Sequence, residues 1–378
     1  MQYRSFGKID WRGSALGFGC MRLPVINGDT GTIDEPEAIR MIRHAIDSGV
    51  NYIDTAYGYH RGMSEHLVGR VLKDGYRAKV SLATKLPCWN VKEASDFDRL
   101  LNEQLEKLQT ETIDFYLLHA LNKKHWTTLR DLGVVDWLLQ ARASGRIRHM
   151  GFSFHDDFAV FQEIVDGNPN WDFCQIQYNY MDVENQAGTA GLKYAAARGM
   201  GVVVMEPLLG GRLVNPPQPI QDLWDSATTR RSAADWALQW LWSQPEVSVV
   251  LSGMSTFQQV TENLASAHAA STQPLTADEM ELVSQVCAKY TELCPVPCTH
   301  CDYCQPCPNK VNIPRIFELY NQAFMYNRME DNRREYGKML LEERADMCLA
   351  CGECEDKCPQ HIQISSLMST VHEALAAS

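Results

Sequence analysis

Three ionisable side chains in the first third of the chain stand where a short apolar run ends: Asp54, Lys85 and His119. Tyr59 follows Asp54 after a short turn. A tyrosine, with a pKa of about 10, is a poor acid at neutral pH unless a nearby ammonium stabilises its phenolate. A lysine held by an aspartate supplies that charge, and a histidine can orient a carbonyl oxygen or relay the proton. The four residues therefore predict a proton-transfer site.

A second chemical feature is the concentration of cysteines late in the chain, where ten of the thirteen fall between Cys287 and Cys358. The run beginning at Cys348 has the spacing C-x2-C-x2-C-x3-C-P that binds a [4Fe–4S] cluster. A similar run begins fifty residues earlier at Cys298, with its last spacing one residue shorter. Zinc sites typically use two separated C-x2-C pairs instead. The tandem runs therefore predict two [4Fe–4S] clusters.

In two-cluster sequences of this kind, the fourth cysteine of each run ligates the other cluster. One cluster is expected to bind Cys298, Cys301, Cys304 and Cys358. The other cluster is expected to bind Cys307, Cys348, Cys351 and Cys354. Because the shorter spacing precedes Cys307, Cys294 is an alternative to it. Four further cysteines are expected in the core or in loops: Cys20, Cys88, Cys174 and Cys287.

The elements that position these groups alternate between strand and helix after a short N-terminal hairpin. Mostly apolar strands between amphipathic helices imply a parallel sheet covered by helices. Eight such units and no G-x-G-x-x-G after the first strand favour a closed α/β barrel of the (β/α)8 TIM type over an open sheet. Polar residues at the C-terminal ends of barrel strands are typical of active sites. Strands are expected near residues 15–19, 51–56, 80–85, 114–119, 148–153, 173–178, 202–206 and 248–251.

The cysteine-rich segment begins after a further helix expected near residues 276–290. It predicts a barrel domain over 1–293 and a mainly α-helical, two-cluster ferredoxin-like domain over 294–378. The net charge of −12, without clustered Lys or Arg, argues against a nucleic-acid partner. Apolar runs fall short of the roughly 20 residues of a membrane span, and the N-terminus lacks a signal-like apolar segment. These features predict a cytoplasmic protein with no membrane partner.

The pattern D-T-A-x-x-Y from Asp54 to Tyr59, with Lys85 and His119, resembles the catalytic tetrad of aldo-keto reductases. The pattern G-x-S-E-x-x-V-G that begins at Gly62 continues the resemblance. The cysteine runs are similar, more narrowly, to a branch of that family fused to a C-terminal ferredoxin-type domain. The resemblance implies hydride transfer between NADP or NAD and a small carbonyl or alcohol substrate. It gives Tyr59 the role of general acid/base, tuned by Asp54 and Lys85, while His119 positions the substrate.

The resemblance also implies the nicotinamide contacts, with Ser153 and Gln175 holding the carboxamide. Phe154 departs from the family's asparagine, and Met205 and Glu206 depart from its tyrosine and serine, which removes a ring expected to stack on the nicotinamide. An arginine that many members use for the 2′-phosphate is also replaced, so the choice between NADP and NAD stays open. The residues implied for the pyrophosphate and adenosine end are Pro207, Leu208, Gly210, Gly253, Ser255, Thr256, Gln259, Glu262 and Asn263.

Two further functions stay open, because a nicotinamide transfers two electrons together whereas each cluster normally passes one. The clusters of an aldo-keto reductase would serve structure or electron transfer. One alternative is an electron-transfer reductase supplied by a ferredoxin-like partner. A flavin is compatible with that function, since barrel phosphate sites hold one without a clear motif, but no sequence motif indicates it. The other alternative is a non-enzymatic iron–sulfur redox sensor.

Overall fold

A computed structural model describes residues 1–269 and 275–377. Parallel strands close into an eight-stranded barrel, which confirms the predicted fold class. An antiparallel hairpin precedes the barrel and consists of β1 (Tyr3–Phe6) and β2 (Ile9–Ser14). The barrel strands are β3 (Leu16–Gly19), β4 (Tyr52–Asp54), β5 (Ser81–Leu86), β6 (Ile113–Leu121), β7 (Ile147–Phe154), β8 (Phe173–Gln177), β9 (Gly201–Met205) and β10 (Val247–Gly253). They pair in chain order, and β10 pairs with β3 to close the barrel.

Helices follow the strands as the alternation predicted. They are α1 (Glu35–Asp47), α2 (Met63–Val71), α3 (Ser95–Leu108), α4 (Lys123–Asp131), α5 (Val134–Ala143), α6 (Phe158–Asp166), α7 (Gly188–Ala197), α8 (Gln218–Asp225), α9 (Ala233–Trp242), α10 (Phe257–Ala269), α11 (Ala277–Glu292), α12 (Ile313–Met325), α13 (Met329–Lys338) and α14 (Ile364–Ala376). In the described parts of the chain, no helix is both long and apolar enough to cross a membrane.

Helices α4 and α8 were not expected from the sequence. Each is short and buries only one pair of large side chains, Trp126 with Leu129 in α4 and Ile220 with Trp224 in α8. One apolar pair is too little for a helical period to stand out. The start of α4 is fixed instead by a local cap, because the Asn122 side chain accepts a hydrogen bond from the His125 amide at 2.8 Å.

The N-terminal hairpin closes one end of the barrel. Phe6 is fully buried, and its ring centroid lies 5.0 Å from that of Phe115 and 5.8 Å from that of Phe173. A Cβ atom at Gly201 would lie 2.3 Å from the Phe6 ring, so this position on β9 requires glycine. The hairpin thus covers the end of the barrel at which the strands begin.

The chain divides into two compact units, residues 1–210 with 234–276 and residues 211–233 with 277–378. The predicted boundary between residues 293 and 294 stays a prediction. In the second unit, α12 and α14 each span 13 residues and begin after a cysteine run that ends in Cys-Pro. Their inner faces share one apolar core that includes Phe317 and Val371. The internal sequence repeat is thus a structural repeat.

Candidate functional site

The four predicted catalytic side chains lie at the end of the barrel where neighbouring parallel strands finish. Asp54 is the last residue of β4, Lys85 lies near the end of β5, and His119 lies near the end of β6. Tyr59 opens a short 3-10 turn that follows β4. Because β4, β5 and β6 are adjacent, residues far apart in the chain meet here.

Lys85 is the centre of a buried hydrogen-bond network. Its Nζ donates to Asp54 Oδ1 at 2.6 Å, to the Thr55 carbonyl oxygen at 2.8 Å and to Tyr59 Oη at 3.3 Å. The side chains of Lys85 and Asp54 are 1% and 3% exposed. Three acceptors satisfy the three donors of an ammonium, so the lysine can stay charged in the core.

Two residues predicted to contact the nicotinamide hold this network in place. Gln175 Nε2 donates to Asp54 Oδ2 at 3.0 Å, so both oxygens of Asp54 are hydrogen-bonded. Ser153 Oγ accepts from the amide of Ala120 at 2.7 Å, directly after His119. Gln175 thus holds Asp54 in place and Ser153 holds the backbone next to His119, and their contact with a nicotinamide stays a prediction.

The pKa values of Lys85 and Tyr59 are shifted by different causes. Burial by itself lowers the pKa of Lys85, but the charges and hydrogen bonds of Asp54 and Tyr59 outweigh it and raise the pKa. Burial raises the pKa of Tyr59, Lys85 opposes that rise, and Asp54 adds to it. The expected effect of Lys85 on the phenol is present but smaller than the effect of burial. Tyr59 is therefore a protonated phenol at neutral pH.

His119 completes the site as a neutral imidazole. Its ring centroid lies 6.0 Å from that of Tyr59, edge on, and 5.0 Å from that of Trp89. Burial, and then the charge of Lys85, hold the pKa of His119 well below its usual range. Its Nδ1 is buried without a hydrogen-bond partner. Such a ring can donate or accept a hydrogen bond at a substrate oxygen without adding charge.

We expect the His119 ring to stay neutral at pH 5.5, because burial beside Lys85 penalises its charged form. A folded pKa below the unfolded value of about 6.5 means that the unfolded chain binds the proton first. His119 therefore lowers stability as pH falls below that value and has no such effect above it. Nitrogen chemical shifts of ¹⁵N-histidine-labelled protein, assigned with His119→Gln, measure the protonation. An imidazolium pattern for His119 at pH 5.5 would contradict the geometry.

A second buried polar network lies beneath Lys85 and was missed by sequence reasoning. Glu65 Oε1 accepts hydrogen bonds from Thr84 Oγ1 at 2.7 Å and from Gln104 Nε2 at 2.6 Å. Gln104 Nε2 also lies 3.0 Å from the carbonyl oxygen of Lys85. The network joins α2, α3 and β5, and so fixes the strand segment that carries Lys85. Only Glu65 stood in a recognised motif, because contacts across such separations leave no local pattern.

The residues implied for the pyrophosphate and adenosine end of the cofactor all lie at this end of the barrel, in or after β9 and β10. Pro207, Leu208 and Gly210 follow β9, and Gly253 ends β10. In the next loop, the Ser255 amide donates to Gln259 Oε1 at 2.8 Å, and the Gln259 amide donates to Thr256 Oγ1 at 3.2 Å.

Two residues implied for the adenosine end make other bonds. Asn263 is buried and donates to Ser252 Oγ at 3.0 Å, and Glu262 accepts from Gln258 Nε2 at 2.7 Å. Asn263 thus holds its own helix against β10, whereas Ser255 and Thr256 lie in the exposed loop before α10 and Gln259 lies in the first turn of that helix.

Arg22 spans the two loops that were predicted to hold the nucleotide. Its carbonyl oxygen accepts from Ser255 Oγ at 2.7 Å, and its guanidinium Nη2 lies 3.9 Å from Glu206 Oε1. A Cβ atom at Gly253 would lie 3.3 Å from Arg22 side-chain carbons, and one at Gly210 would lie 3.4 Å from its Nη2. The two glycines thus leave room for a guanidinium between the loops.

His155, directly after β7, was also missed. Burial lowers its pKa, and the nearby polar side chain of Gln186 and the charge of Glu206 oppose that effect. His155 in turn lowers the pKa of His119. Its place just beyond the end of a barrel strand was the available signal.

The second unit contains two cavities whose walls divide the cysteines into two groups of four. One cavity is lined by Cys298, Cys301, Cys304 and Cys358, together with apolar side chains that include Phe317. The other cavity is lined by Cys307, Cys348, Cys351 and Cys354. Each group draws one cysteine from the opposite run, as the crossover rule predicted. All thirteen cysteines of the chain are free thiols.

The first halves of the two cysteine runs share a backbone feature. Left-handed φ angles occur at His300 and Asp302 in the first run, 54° and 61°, and at Ala350 and Gly352 in the second, 52° and 80°. These are matching positions, two and four residues after the first cysteine. Cys294 lies outside both cavity linings, and its Sγ bonds the Val296 carbonyl oxygen at 3.3 Å.

Comparison with known proteins gives two matches to family models. Residues 15–287 match the aldo/keto reductase family, and residues 297–362 match a 4Fe-4S dicluster domain. The chain is similar to L-galactose dehydrogenase of Arabidopsis thaliana, 27% identical over 70% of this chain and 88% of the relative. It is also similar to the uncharacterized oxidoreductase YqkF of Bacillus subtilis, 27% identical over 74% of this chain and 95% of the relative.

Among solved structures, the holo form of the aldo-keto reductase AKR11C1 from Bacillus halodurans is similar, with a TM-score of 0.63 and 27% identity. The alignment covers 76% of this chain and 96% of that chain. These relatives align with the barrel over most of their own length.

Proposed function

The chain belongs to the aldo/keto reductase family and carries a C-terminal 4Fe-4S dicluster domain, and on that premise we propose a nicotinamide-dependent carbonyl reductase or alcohol dehydrogenase. Tyr59 is its general acid/base. The observation that carries the proposal is the position of Lys85 Nζ between Asp54 Oδ1 and Tyr59 Oη, at 2.6 Å and 3.3 Å. The substrate is a small carbonyl compound or its alcohol.

In the reductive direction, Tyr59 Oη gives its proton to the carbonyl oxygen. The negative charge left on the phenol forms beside the Lys85 ammonium, whose own charge is balanced by Asp54. This is stabilisation of charge where it develops, in a site that excludes water. In the oxidative direction the same groups take the proton back. The nicotinamide, when bound, supplies or accepts the hydride.

His119 and Trp89 position the substrate oxygen. The neutral imidazole offers a hydrogen bond at the edge of the Tyr59 ring, and the half-exposed Trp89 ring stands beside it. Trp89 also approaches Gly58, where an added Cβ atom would lie 3.9 Å from its ring. The substrate carbonyl is thus expected between Tyr59 and His119, with Trp89 as an apolar wall.

The cofactor is NADP or NAD, lying across the mouth. Arg22 supports this part of the proposal, because a guanidinium pairs well with phosphate oxygens. The exposed residues Ser255, Thr256 and Gln259 lie at the start of α10, and helix N-termini favour phosphate. Met205, at the end of β9, stands in place of the family's tyrosine and supplies no aromatic ring, so the nicotinamide is held chiefly through hydrogen bonds. A flavin is not part of the proposal.

The dicluster domain is proposed to hold two [4Fe–4S] clusters, one in each cysteine-lined cavity. Four thiols around each cavity are the donor set that such a cluster requires. Lining side chains such as Ile313 and Phe317 give each cavity an apolar wall. When bound, the clusters carry single electrons or hold the domain together.

Iron content tests the ligand sets. Anaerobically purified protein is expected to contain about eight irons per chain, as two cubanes require. Cys351→Ser removes a thiol that lines one cavity, and we expect it to lose about half of that iron. Cys294→Ser is the matched control and should keep the full content, because Cys294 lines neither cavity. Loss of iron in Cys294→Ser, together with its retention in Cys307→Ser, would reassign that ligand.

Electron transfer with a ferredoxin-like partner is a second candidate function. Cys301 and Cys351 are exposed, and Leu349, two residues before Cys351, is 75% exposed. The edge of each proposed cluster thus reaches the surface, where a partner can approach it. Reduction of the oxidised protein by added reduced ferredoxin, followed by absorbance, tests this function. No reduction at any ferredoxin concentration would exclude it.

A further inference from the structure

The two halves of the dicluster domain differ at one pair of matching positions that contact each other. Directly after the third cysteine, the first run has Gln305 and the second has Glu355. At the second residue of the following helix, α12 has Pro314 and α14 has Ser365. The two differences are linked, because only the second pair can form a hydrogen bond between these positions.

Glu355 is bound to the start of α14. Its Oε1 accepts from the Ser365 amide at 2.8 Å and from Ser365 Oγ at 2.5 Å. Proline has no amide hydrogen, so Pro314 cannot offer the equivalent donor. Gln305 bonds elsewhere, donating to the Val311 carbonyl oxygen at 3.0 Å and accepting from the Cys307 amide at 3.2 Å. A fixed carboxylate in one half thus corresponds to a neutral amide in the other.

Each of the two matching pairs of residues lies beside one cavity. Glu355 follows Cys354, and Ser365 and Cys354 both line the cavity of Cys307, Cys348 and Cys351. Gln305 follows Cys304, and Cys304 and Pro314 line the other cavity.

The other charged residues in the two cavity walls and beside the cysteines are exposed. Each cavity wall contains one exposed carboxylate, Asp302 in the first and Glu353 in the second. Beside Cys307, the exposed Lys310 pairs with the exposed Glu342 at 3.2 Å, and after Glu355 the exposed pair Asp356 and Lys357 adds no net charge. Glu355 differs from these groups because its carboxylate is partly buried and held by two hydrogen bonds.

We infer that Glu355 makes the cluster held by Cys307, Cys348, Cys351 and Cys354 harder to reduce than its partner cluster. This inference rests on the proposed two-cluster ligand sets. Reduction adds one electron to a cluster, and a fixed negative charge beside it raises the energy of that added charge. The α14 N-terminus offsets the carboxylate only in part, because it carries about half an elementary charge. When both clusters are bound, an electron that enters this domain is then expected to reside on the cluster held by Cys298, Cys301, Cys304 and Cys358.

A redox titration of the holoprotein, poised with dithionite and mediators and read by EPR, tests the inference. The native protein should show two one-electron steps at different midpoint potentials. Glu355→Gln should move the lower step to higher potential and leave the upper step in place. Gln305→Glu should move the upper step to lower potential and leave the lower step in place. Asp356→Asn is the matched control, and because solvent screens that exposed carboxylate its shift should be smaller than that of Glu355→Gln.

Two failures are distinguishable in this experiment. Low iron content and no EPR signal in the native protein would overturn the proposed clusters themselves. A full iron content with midpoints that neither Glu355→Gln nor Gln305→Glu moves would overturn the role of Glu355 alone. Gln305→Glu leaves the hydrogen bonds between Glu355 and Ser365 intact. It therefore tests the effect of a carboxylate at this position on cluster potential even where Glu355→Gln binds its cluster poorly.

Discussion

Tyr59→Phe is expected to lower the rate of carbonyl reduction by about 10²–10⁴-fold, the usual contribution of a positioned general acid. The substitution removes only the hydroxyl that lies 3.3 Å from Lys85 Nζ and keeps the ring beside His119. The Asp54 to Lys85 pair and the nucleotide loops are left as they are. Nicotinamide affinity, measured by fluorescence titration, should therefore stay nearly unchanged while steady-state turnover falls.

Tyr57→Phe is the matched control, since it removes a hydroxyl from the same segment. The Tyr57 hydroxyl donates to Glu103 Oε2 at 2.9 Å, and its ring lies over Lys107, away from the proton path. That variant should keep nearly native turnover. Native turnover in Tyr59→Phe, with loss of turnover in Tyr57→Phe, would place the acid elsewhere.

Lys85→Met is expected both to abolish turnover and to destabilise the barrel by about 3–5 kcal/mol, the cost of leaving a buried carboxylate without its partner. Asp54 is nearly inaccessible to solvent, and Gln175 would be its remaining side-chain donor. Denaturant unfolding followed by tryptophan fluorescence measures the stability, and steady-state kinetics measure the turnover.

The double variant Asp54→Leu/Lys85→Met separates the two effects. Replacing both partners by apolar side chains removes the unpaired charge, so stability should return toward the native value while activity stays lost. Lys79→Met is the surface control. Lys79 and Asp47 form an exposed ion pair, which contributes little, so neither stability nor activity should change appreciably. Activity in the stable double variant would show that Lys85 is not needed for proton transfer.

The groups that could be predicted from the sequence are those with a local signal. Asp54, Lys85 and His119 follow apolar runs, and in a closed parallel barrel the ends of adjacent strands must meet. The grouping of the cysteines was predictable because both runs carry the spacing that dictates it. The repeat also indicated the two matching helices α12 and α14.

The features of the site that the sequence did not reveal depend on hydrogen bonds between residues far apart in the chain. The bond from Gln175 to Asp54 joins residues 121 positions apart, and the bond from Gln104 to Glu65 joins residues 39 apart. Each pairing follows from barrel closure and helix packing, which no local pattern records. The balance of influences on Tyr59 was equally hidden, because burial is a property of the finished fold.

The path of the hydride tests the central claim most directly. The purified protein is incubated with NADPH or NADH that carries deuterium at the transferable position of the nicotinamide, together with a panel of small aldehydes and ketones. Mass spectrometry then locates the label in the alcohol product. The geometry around Lys85, Asp54 and Tyr59 predicts deuterium on the carbinol carbon and a solvent proton on the oxygen. An alcohol product that carries no label from either cofactor would contradict the proposed function.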